Sequence, residues 1–387
     1  MISVDDALSL LDQHRPDWGA HLYTLTHSEG VITTDATILA QDITAPSDYP
    51  AQSVSIMDGY AFAKSDLSLP IKVIGESRAG VPFDSTLGPQ EAVRIFTGAI
   101  LPTGAQNVEI QENAHCVNNE LSFTSLSTHR NYIRRAGADF KKGDRLFSKG
   151  TSITPAMILT LATCNIAQVK VKTLPRIAIL SSGDELRPLG TALKPGQIVN
   201  STGPALIALL KQWGLSVTNL GIASDSQTDI QARMERCDAD IIVTLGGASV
   251  GDYDYMKSAA QAADFQSIFS KVAVKPGKPT WFSKKGSQYI LGLPGNPSSA
   301  WVCAHIFLKY FIFGSHKIAR AKLAKDIPEN GSRELFLRGQ QIENNEVMPL
   351  PKQDSGLVHP LSQADILIRL APHQNLKAGD MTSYLKL

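Results

Sequence analysis

Apolar positions along this chain follow two different rhythms. From Pro175 onward, short runs of β-branched and aliphatic residues alternate with stretches of helical period. Arg176-Ile-Ala-Ile-Leu, Val217 to Ile222, Asp240 to Leu245 and Tyr289-Ile-Leu-Gly-Leu predict strands. Gly203 to Gly214, Asp229 to Cys237 and Tyr253 to Ala263 predict helices. Strands alternating with helices at this spacing imply βαβ units and a parallel sheet. Earlier, Ile71-Lys-Val-Ile-Gly, Glu91-Ala-Val-Arg-Ile-Phe and Val108-Glu-Ile have a β-rich texture. After about Lys322 the apolar runs are short and separated by polar turns, which predicts a small barrel or sandwich. Ser3 reads as the N-cap of a short amphipathic helix reaching about Gln13, and Thr154-Pro155 opens another between Gly150 and Val169.

Polar residues collect where the predicted strands end. Glu185, Asp225, Ser249 and Asp254 each follow one, and a parallel sheet would bring these turns to its carboxyl edge, where ligands bind. Gly246, Gly247 and Gly251 let backbone N–H groups approach an anion ahead of a helix, although packing also selects glycine at such turns. If Lys271 to Lys275 is extended, Lys271, Ala273 and Lys275 share one face and Val272 and Val274 the other. Pro276-Gly277 then turns Lys278 toward them. The reading is an anion cluster, set against an edge strand guarded by lysine. Asn296 is placed as an N-cap with Pro297 as the first helical residue. Upstream, Asp58-Gly59 and Thr97-Gly98 read as tight turns whose side chains bond their own backbone. Arg134, Arg135, Lys141 and Lys142 read as a solvated basic face.

The 387 residues, 43% apolar and 19% charged, are those of a globular protein of two to four domains. A net charge of +1 gives no reason to expect nucleic acid or a membrane surface as partner, so an anion site must be local. The apolar stretches Ala156 to Val169 and Ala300 to Phe313 fall short of the roughly 20 residues of a membrane span, and the N-terminus lacks a signal-peptide pattern. A cytoplasmic protein is expected. Cys116, Cys164, Cys237 and Cys303 form no C-x-x-C pair, which favours reduced thiols over a zinc site.

Taken in order, Met57-Asp-Gly-Tyr-Ala, Thr97-Gly-Ala-x-x-Pro, Ser182-Gly-Asp-Glu-Leu, Gly246-Gly-x-Ser-Val-Gly, Lys275-Pro-Gly-Lys-Pro and Leu293-Pro-Gly-Asn-Pro resemble the MoeA family of molybdopterin molybdenumtransferases, which includes the E domain of gephyrin. The resemblance runs from about residue 3 to the end. It implies a multidomain α/β and β protein: an elongated α+β first domain (1–44 and 137–172), a β-rich insert (45–136), a three-layer α/β pterin-binding domain (173–321) and a C-terminal β-barrel (322–387). It implies a homodimer whose active site is shared between subunits, working between an adenylylating molybdopterin enzyme and downstream molybdoenzyme maturation proteins. The implied reaction inserts molybdenum from molybdate into adenylylated molybdopterin (molybdopterin-AMP), releases AMP and is assisted by Mg²⁺.

Carried over by motif, the catalytic positions are Asp58, Thr97, Glu185, Asp225, Lys271 and Lys275. The substrate-binding positions are Asp139, Gly246, Gly247, Ser249, Gly251, Asp254, Lys278, Pro294 and Ser355. Glu185, Asp225 and Asp254 are the implied Mg²⁺ ligands. The chain departs from the family pattern at Ala248, at Gln106 and at Ala138 beside Asp139. The competing readings are a related nucleotide hydrolase or adenylylating enzyme and a binding scaffold of the gephyrin kind.

Overall fold

The computed structural model describes the chain apart from residues 26–36, 64, 66, 127–130 and 247–254. It forms two compact units, one of Met1–His21, Thr34–Thr37 and Lys172–Leu387 and the other of Leu22–Thr33 and Ile38–Val171.

The first unit opens with helix α1 (Val4–His14), which Ser3 caps as expected. Its Oγ accepts the Asp6 N–H at 3.0 Å while the Asp6 carboxylate accepts the Ser3 N–H at 3.2 Å, a reciprocal capping box. The centre of the unit is a six-stranded sheet. In chain order its strands are β1 (Ile177–Ser182), β2 (Val217–Ala223), β3 (Ile241–Leu245), β4 (Gln266–Phe269), β5 (Trp281–Lys285) and β6 (Gln288–Leu293), and in space they run 2-1-3-6-5-4. Strands β2, β1, β3 and β6 are parallel, as the alternation predicts. β5 and β4 run antiparallel to their neighbours and correct the expectation of a parallel sheet. Trp281, Phe282 and Ser283 are all buried, so β5 lacks the period-two pattern that marks a strand.

Every residue of β1 and β3 is buried. Ile241, Val243 and Leu245 pack with Leu206, Leu209 and Leu210 on one side, whereas Ile242 packs with Ile230, Met234 and Met256 on the other. Alternate side chains of one strand thus serve two helical layers, giving a three-layer α/β arrangement. Helices α2 (Thr202–Gln212), α3 (Gln227–Glu235), α4 (Tyr255–Ala262) and α5 (Pro297–Cys303) supply those layers.

Beyond this sheet the chain closes a five-stranded barrel from β7 (Ile318–Leu323), β8 (Glu334–Ile342), β9 (Glu346–Pro349), β10 (Ile366–Leu370) and β11 (Met381–Lys386). The ladder runs β8-β9-β7-β11-β10, and the pairing of β10 with β8 closes it. The two-residue strand Val274–Lys275 pairs in parallel with β8, with Lys275 opposite Leu335. The barrel is therefore hydrogen-bonded to the segment that carries the lysines. That segment is extended over less length than expected, but Val272 and Val274 are buried while Lys275 is exposed, as the period of two requires.

In the second unit the strands Asn107–Ile110, Gly59–Phe62, Glu91–Ile95, Ile71–Ser77, Glu120–Phe123 and Ala114–Val117 form one sheet in that spatial order. Gly59 sits inside this sheet, paired with Ile95 on one side and Ile110 on the other, and not in the tight turn expected of Asp58-Gly59. The expected helix between Gly150 and Val169 is shorter, Pro155–Thr163 with Thr154 as N-cap, and Gln168–Lys172 is a strand.

Candidate active site

The carboxyl ends of β1 and β3 open into a cleft of about 1170 Å³. The chain passes from β1 to β2 on one side and then crosses to β3 on the other, so the cleft lies at the topological switch point of the sheet. Ser182, Glu185, Asp225 and Gly246 line it from the strand ends, Lys275 from the end of the Val274–Lys275 strand, Lys278 from the loop after it, and Pro294 and Asn296 from the loop after β6. Arg333 and Ser355 line it from the barrel.

Asp354 lines the cleft as well, and the two carboxylates at the strand ends, Asp225 and Glu185, are held differently. Ser182 Oγ donates to Asp225 Oδ1 at 2.7 Å, and the Asp184 N–H donates to Oδ2 at 3.2 Å. The Asp225 N–H in turn donates to Asp184 Oδ1 at 3.1 Å, so the loops after β1 and β2 lock together. Glu185 is exposed and lines the same cleft. At Gly246, φ is +90° and a Cβ would lie 2.5 Å from the Ser182 carbonyl oxygen, so close packing of β3 on the loop after β1 already demands glycine there.

The cationic wall rests on a buried thiol. Gly277 has φ +119°, and a Cβ would lie 2.1 Å from Cys303 Sγ. Cys303 is wholly buried at the end of α5, its thiol is pushed up to about 12 by burial, and its Sγ donates to the Pro276 carbonyl at 3.8 Å. This contact seats the Lys275-Pro276-Gly277-Lys278 turn and leaves both lysines exposed. Opposite, Asn296 Nδ2 donates to Ser355 Oγ at 3.1 Å. Asn296 occupies the expected N-cap position of α5, but its side chain makes no cap bond and instead reaches the barrel serine.

The second unit holds its own predicted pair. Asp58 Oδ1 accepts from both the backbone N–H and the hydroxyl of Thr97, each at 2.8 Å. Those bonds, the backbone one first, hold the Asp58 carboxyl below its ordinary range, with Arg94 adding a weaker pull. Asp139 is exposed, and its N–H donates to the Tyr49 carbonyl at 3.0 Å.

Three family models cover nearly the whole chain: the MoeA N-terminal region (domain I and II) over residues 2–165, a probable molybdopterin binding domain over 178–313 and the MoeA C-terminal region (domain IV) over 320–387. The chain belongs to the MoeA family. It is 37% identical over 300 residues to a molybdopterin molybdenumtransferase of Haemophilus influenzae, covering 76% of this chain and 74% of the relative. It is 32% identical over 367 residues to one of Staphylococcus aureus, covering 88% and 86%. A solved MoeA molybdopterin biosynthesis protein of Pyrococcus horikoshii superposes with a TM-score of 0.85 at 26% identity, over 100% of this chain and 99% of that one.

Against this MoeA frame, the cleft brings together Glu185, Asp225, Gly246, Lys275, Lys278, Pro294 and Ser355 of the positions taken from sequence. Lys271 is not among the lining residues; it is half-buried, and its carbonyl accepts the Ile2 N–H at 3.2 Å. Asp58, Thr97 and Asp139 belong to the other unit. Gly247, Ser249, Gly251 and Asp254 lie outside the described residues. Sequence reading missed Ser182, Asn296 and Arg333 as site residues. Asn296 and Ser182 stood inside quoted motifs, whereas nothing in Gly331-Ser-Arg-Glu signals a ligand.

Proposed function

We propose that this MoeA chain catalyses molybdenum insertion in molybdenum cofactor biosynthesis, taking adenylylated molybdopterin and molybdate and releasing AMP. One observation carries the reading: a single cleft at the switch point of the sheet is lined by three cationic side chains, Lys275, Lys278 and Arg333, and by the carboxylates Glu185, Asp225 and Asp354. A substrate with a phosphoanhydride and an oxyanion co-substrate needs that mixture. Unpaired phosphate charge in a cleft is costly, and lysine offsets it as a point charge.

Lys275, Lys278 and Arg333 hold the substrate phosphates and molybdate. The Asn296 amide donates to Ser355 Oγ, so the Ser355 proton is free to be donated to a ligand oxygen. Asp225, fixed by Ser182 and Asp184, is the rigid carboxylate of the site. Glu185 is the group that orients the water attacking the phosphoanhydride.

The donor set fits Mg²⁺ in one manner. No cluster of three or more metal-ligating side chains occurs among the described residues, but Glu185 and Asp225 share the cleft from the strand ends, with Asp354 on the barrel side. Mg²⁺ is commonly held by one or two carboxylates together with substrate phosphates, and Glu185 and Asp225, with Asp254, are the side chains that would hold it. When bound, it would supply charge neutralisation at the phosphates.

The working form is a homodimer with the active site shared between subunits, Asp58, Thr97 and Asp139 being the insert-side contribution. Lys271 is assigned to the approach to the site, and Gly247, Ser249 and Gly251 to substrate binding. The four domains keep the bounds 1–44 with 137–172, 45–136, 173–321 and 322–387. No helix among the described residues is long and apolar enough to cross a membrane. The proposal places the enzyme in the cytoplasm, where it takes its substrate from an adenylylating enzyme and passes its product to maturation proteins.

The test is product analysis. Incubation with adenylylated molybdopterin, molybdate and Mg²⁺ should yield pterin-bound molybdenum in the wild type and little with Lys275→Ala. Equal yields from the two proteins would refute the assignment of the cleft.

A further inference from the structure

Ser355 sits on the Lys352–Leu357 loop, which has no regular secondary structure of its own and yet forms one wall of the cleft. Behind it lies Arg338 of β8, only 2% exposed. The guanidinium makes no contact ion pair among the described residues, and burial pushes its pKa down against a weaker pull from the Asp354 carboxylate. A buried cation without a salt-bridged carboxylate is costly and persists only where its hydrogen-bond capacity is met.

The loop meets it. Arg338 Nη2 donates to the carbonyls of Lys352 at 3.1 Å and Asp354 at 3.0 Å. Nη1 donates to the Leu357 carbonyl at 3.0 Å and to Ser298 Oγ at 2.8 Å, and Nε donates to Gln353 Oε1 at 3.4 Å. Gln353 completes the arrangement, its Oε1 accepting the Arg338 N–H at 3.1 Å and its Nε2 donating to the Arg338 carbonyl at 2.8 Å. Ser298 belongs to α5 and also donates to the Leu357 carbonyl, at 2.7 Å. One planar fork therefore joins the barrel strand, both flanks of Ser355 and the helix that follows Asn296.

We propose that Arg338 is the positioning residue of this cleft: it folds the Lys352–Leu357 loop around its guanidinium and so sets the Ser355 hydroxyl against Asn296 for oxyanion binding. Arg338 does not line the cleft and touches no substrate; it acts through Ser355. The ligand part of the inference rests on the functional reading above, whereas the loop part does not. Lysine cannot replace this fork, because an ammonium group cannot reach several carbonyls in one plane.

The test uses the full chain with Arg338→Lys, and Ile368→Ala in the barrel core as a control for plain destabilisation. Amide hydrogen exchange should accelerate about tenfold or more across residues 352–357 in Arg338→Lys, with β7 and β11 unchanged. Molybdate affinity by calorimetry should fall about tenfold in Arg338→Lys and stay at the wild-type value in Ile368→Ala. Unchanged exchange in the loop, or equal acceleration throughout the barrel, would overturn the proposal. If Arg338→Lys does not fold, Gln353→Ala decides: acceleration confined to the loop supports the proposal, and its absence overturns it. A wild type that binds no molybdate would refute the oxyanion reading of the cleft, and the exchange measurement would still decide the role of Arg338.

Discussion

Asp58 and Thr97, 39 residues apart in sequence, form a two-point contact in which one carboxylate oxygen accepts both the N–H and the hydroxyl of the threonine. The sequence pattern predicts each as a separate tight turn. Thr97 does lie in a turn, with the Ala99 N–H donating to the Phe96 carbonyl and Gly98 at φ +81°. Asp58, however, spends its side chain on that turn and not on its own backbone.

Replacing the hydroxyl tests this pair. Thr97→Val keeps the shape and the backbone N–H but removes one donor, so the Asp58 carboxyl should titrate closer to its ordinary value in NMR. Thr97→Ser should leave it low. If Asp58 serves the reaction as proposed, turnover should fall roughly tenfold in Thr97→Val and little in Thr97→Ser.

The seat of the lysine turn makes a sharper demand. Gly277→Ala sets a methyl 2.1 Å from Cys303 Sγ on a backbone with φ +119° and should cost roughly 2–5 kcal/mol in denaturant unfolding. Adding Cys303→Ala removes the struck sulfur and should recover the steric part of that loss, leaving the backbone strain. Equal stability of the single and double variants would show that the thiol contact does not seat the loop.

His305 makes stability depend on pH. Its Nδ1 faces the Trp301 carbonyl at 3.0 Å, its ring lies edge-on to Trp213, and burial lowers its pKa from 6.5 to about 4, with Lys309 and His316 pulling the same way. The folded state thus keeps the ring neutral while the unfolded state gains a proton below about pH 6.5. Stability should be lost as pH falls from about 6.5 towards 4, by roughly 2–3 kcal/mol at pH 4.5. His305→Gln lacks this titration, so its unfolding free energy should fall less over the same range. Parallel losses in both proteins would assign the effect to other groups.

Much of this architecture is legible in the chain because period and punctuation coincide. Strands β1, β2, β3 and β6 and the ends that carry Glu185, Asp225 and Gly246 follow from apolar runs stopped by turn residues. Lys275 and Lys278 follow from a period of two and a Pro-Gly turn. What escaped is tertiary. β5 is buried throughout, so its run carries no alternation. Lys271 shares the expected face of Lys275, but the two-residue strand is too short to carry that face into the cleft. Arg333 reaches the site only because the barrel pairs Leu335 with Lys275, a contact 60 residues apart that no local pattern encodes. Asn296 is the instructive case: its position was right, its partner was not.

Ser182 offers a prediction about carboxylate placement. It is buried at 5% exposure and donates to Asp225 at 2.7 Å, so Ser182→Ala frees one side of that carboxylate without opening a large cavity. Turnover should fall roughly tenfold with the melting temperature nearly unchanged, and Ser182→Thr should retain more activity than Ser182→Ala. A Ser182→Ala protein of full activity would remove Asp225 from the reaction.

The most direct test of the central claim is AMP release from adenylylated molybdopterin in the presence of Mg²⁺, measured with and without molybdate in the wild type, Glu185→Ala and Lys275→Ala. A transferase cleft predicts release that depends on molybdate in the wild type and is lost in both variants. Release indifferent to molybdate, or retained in both variants, would contradict it.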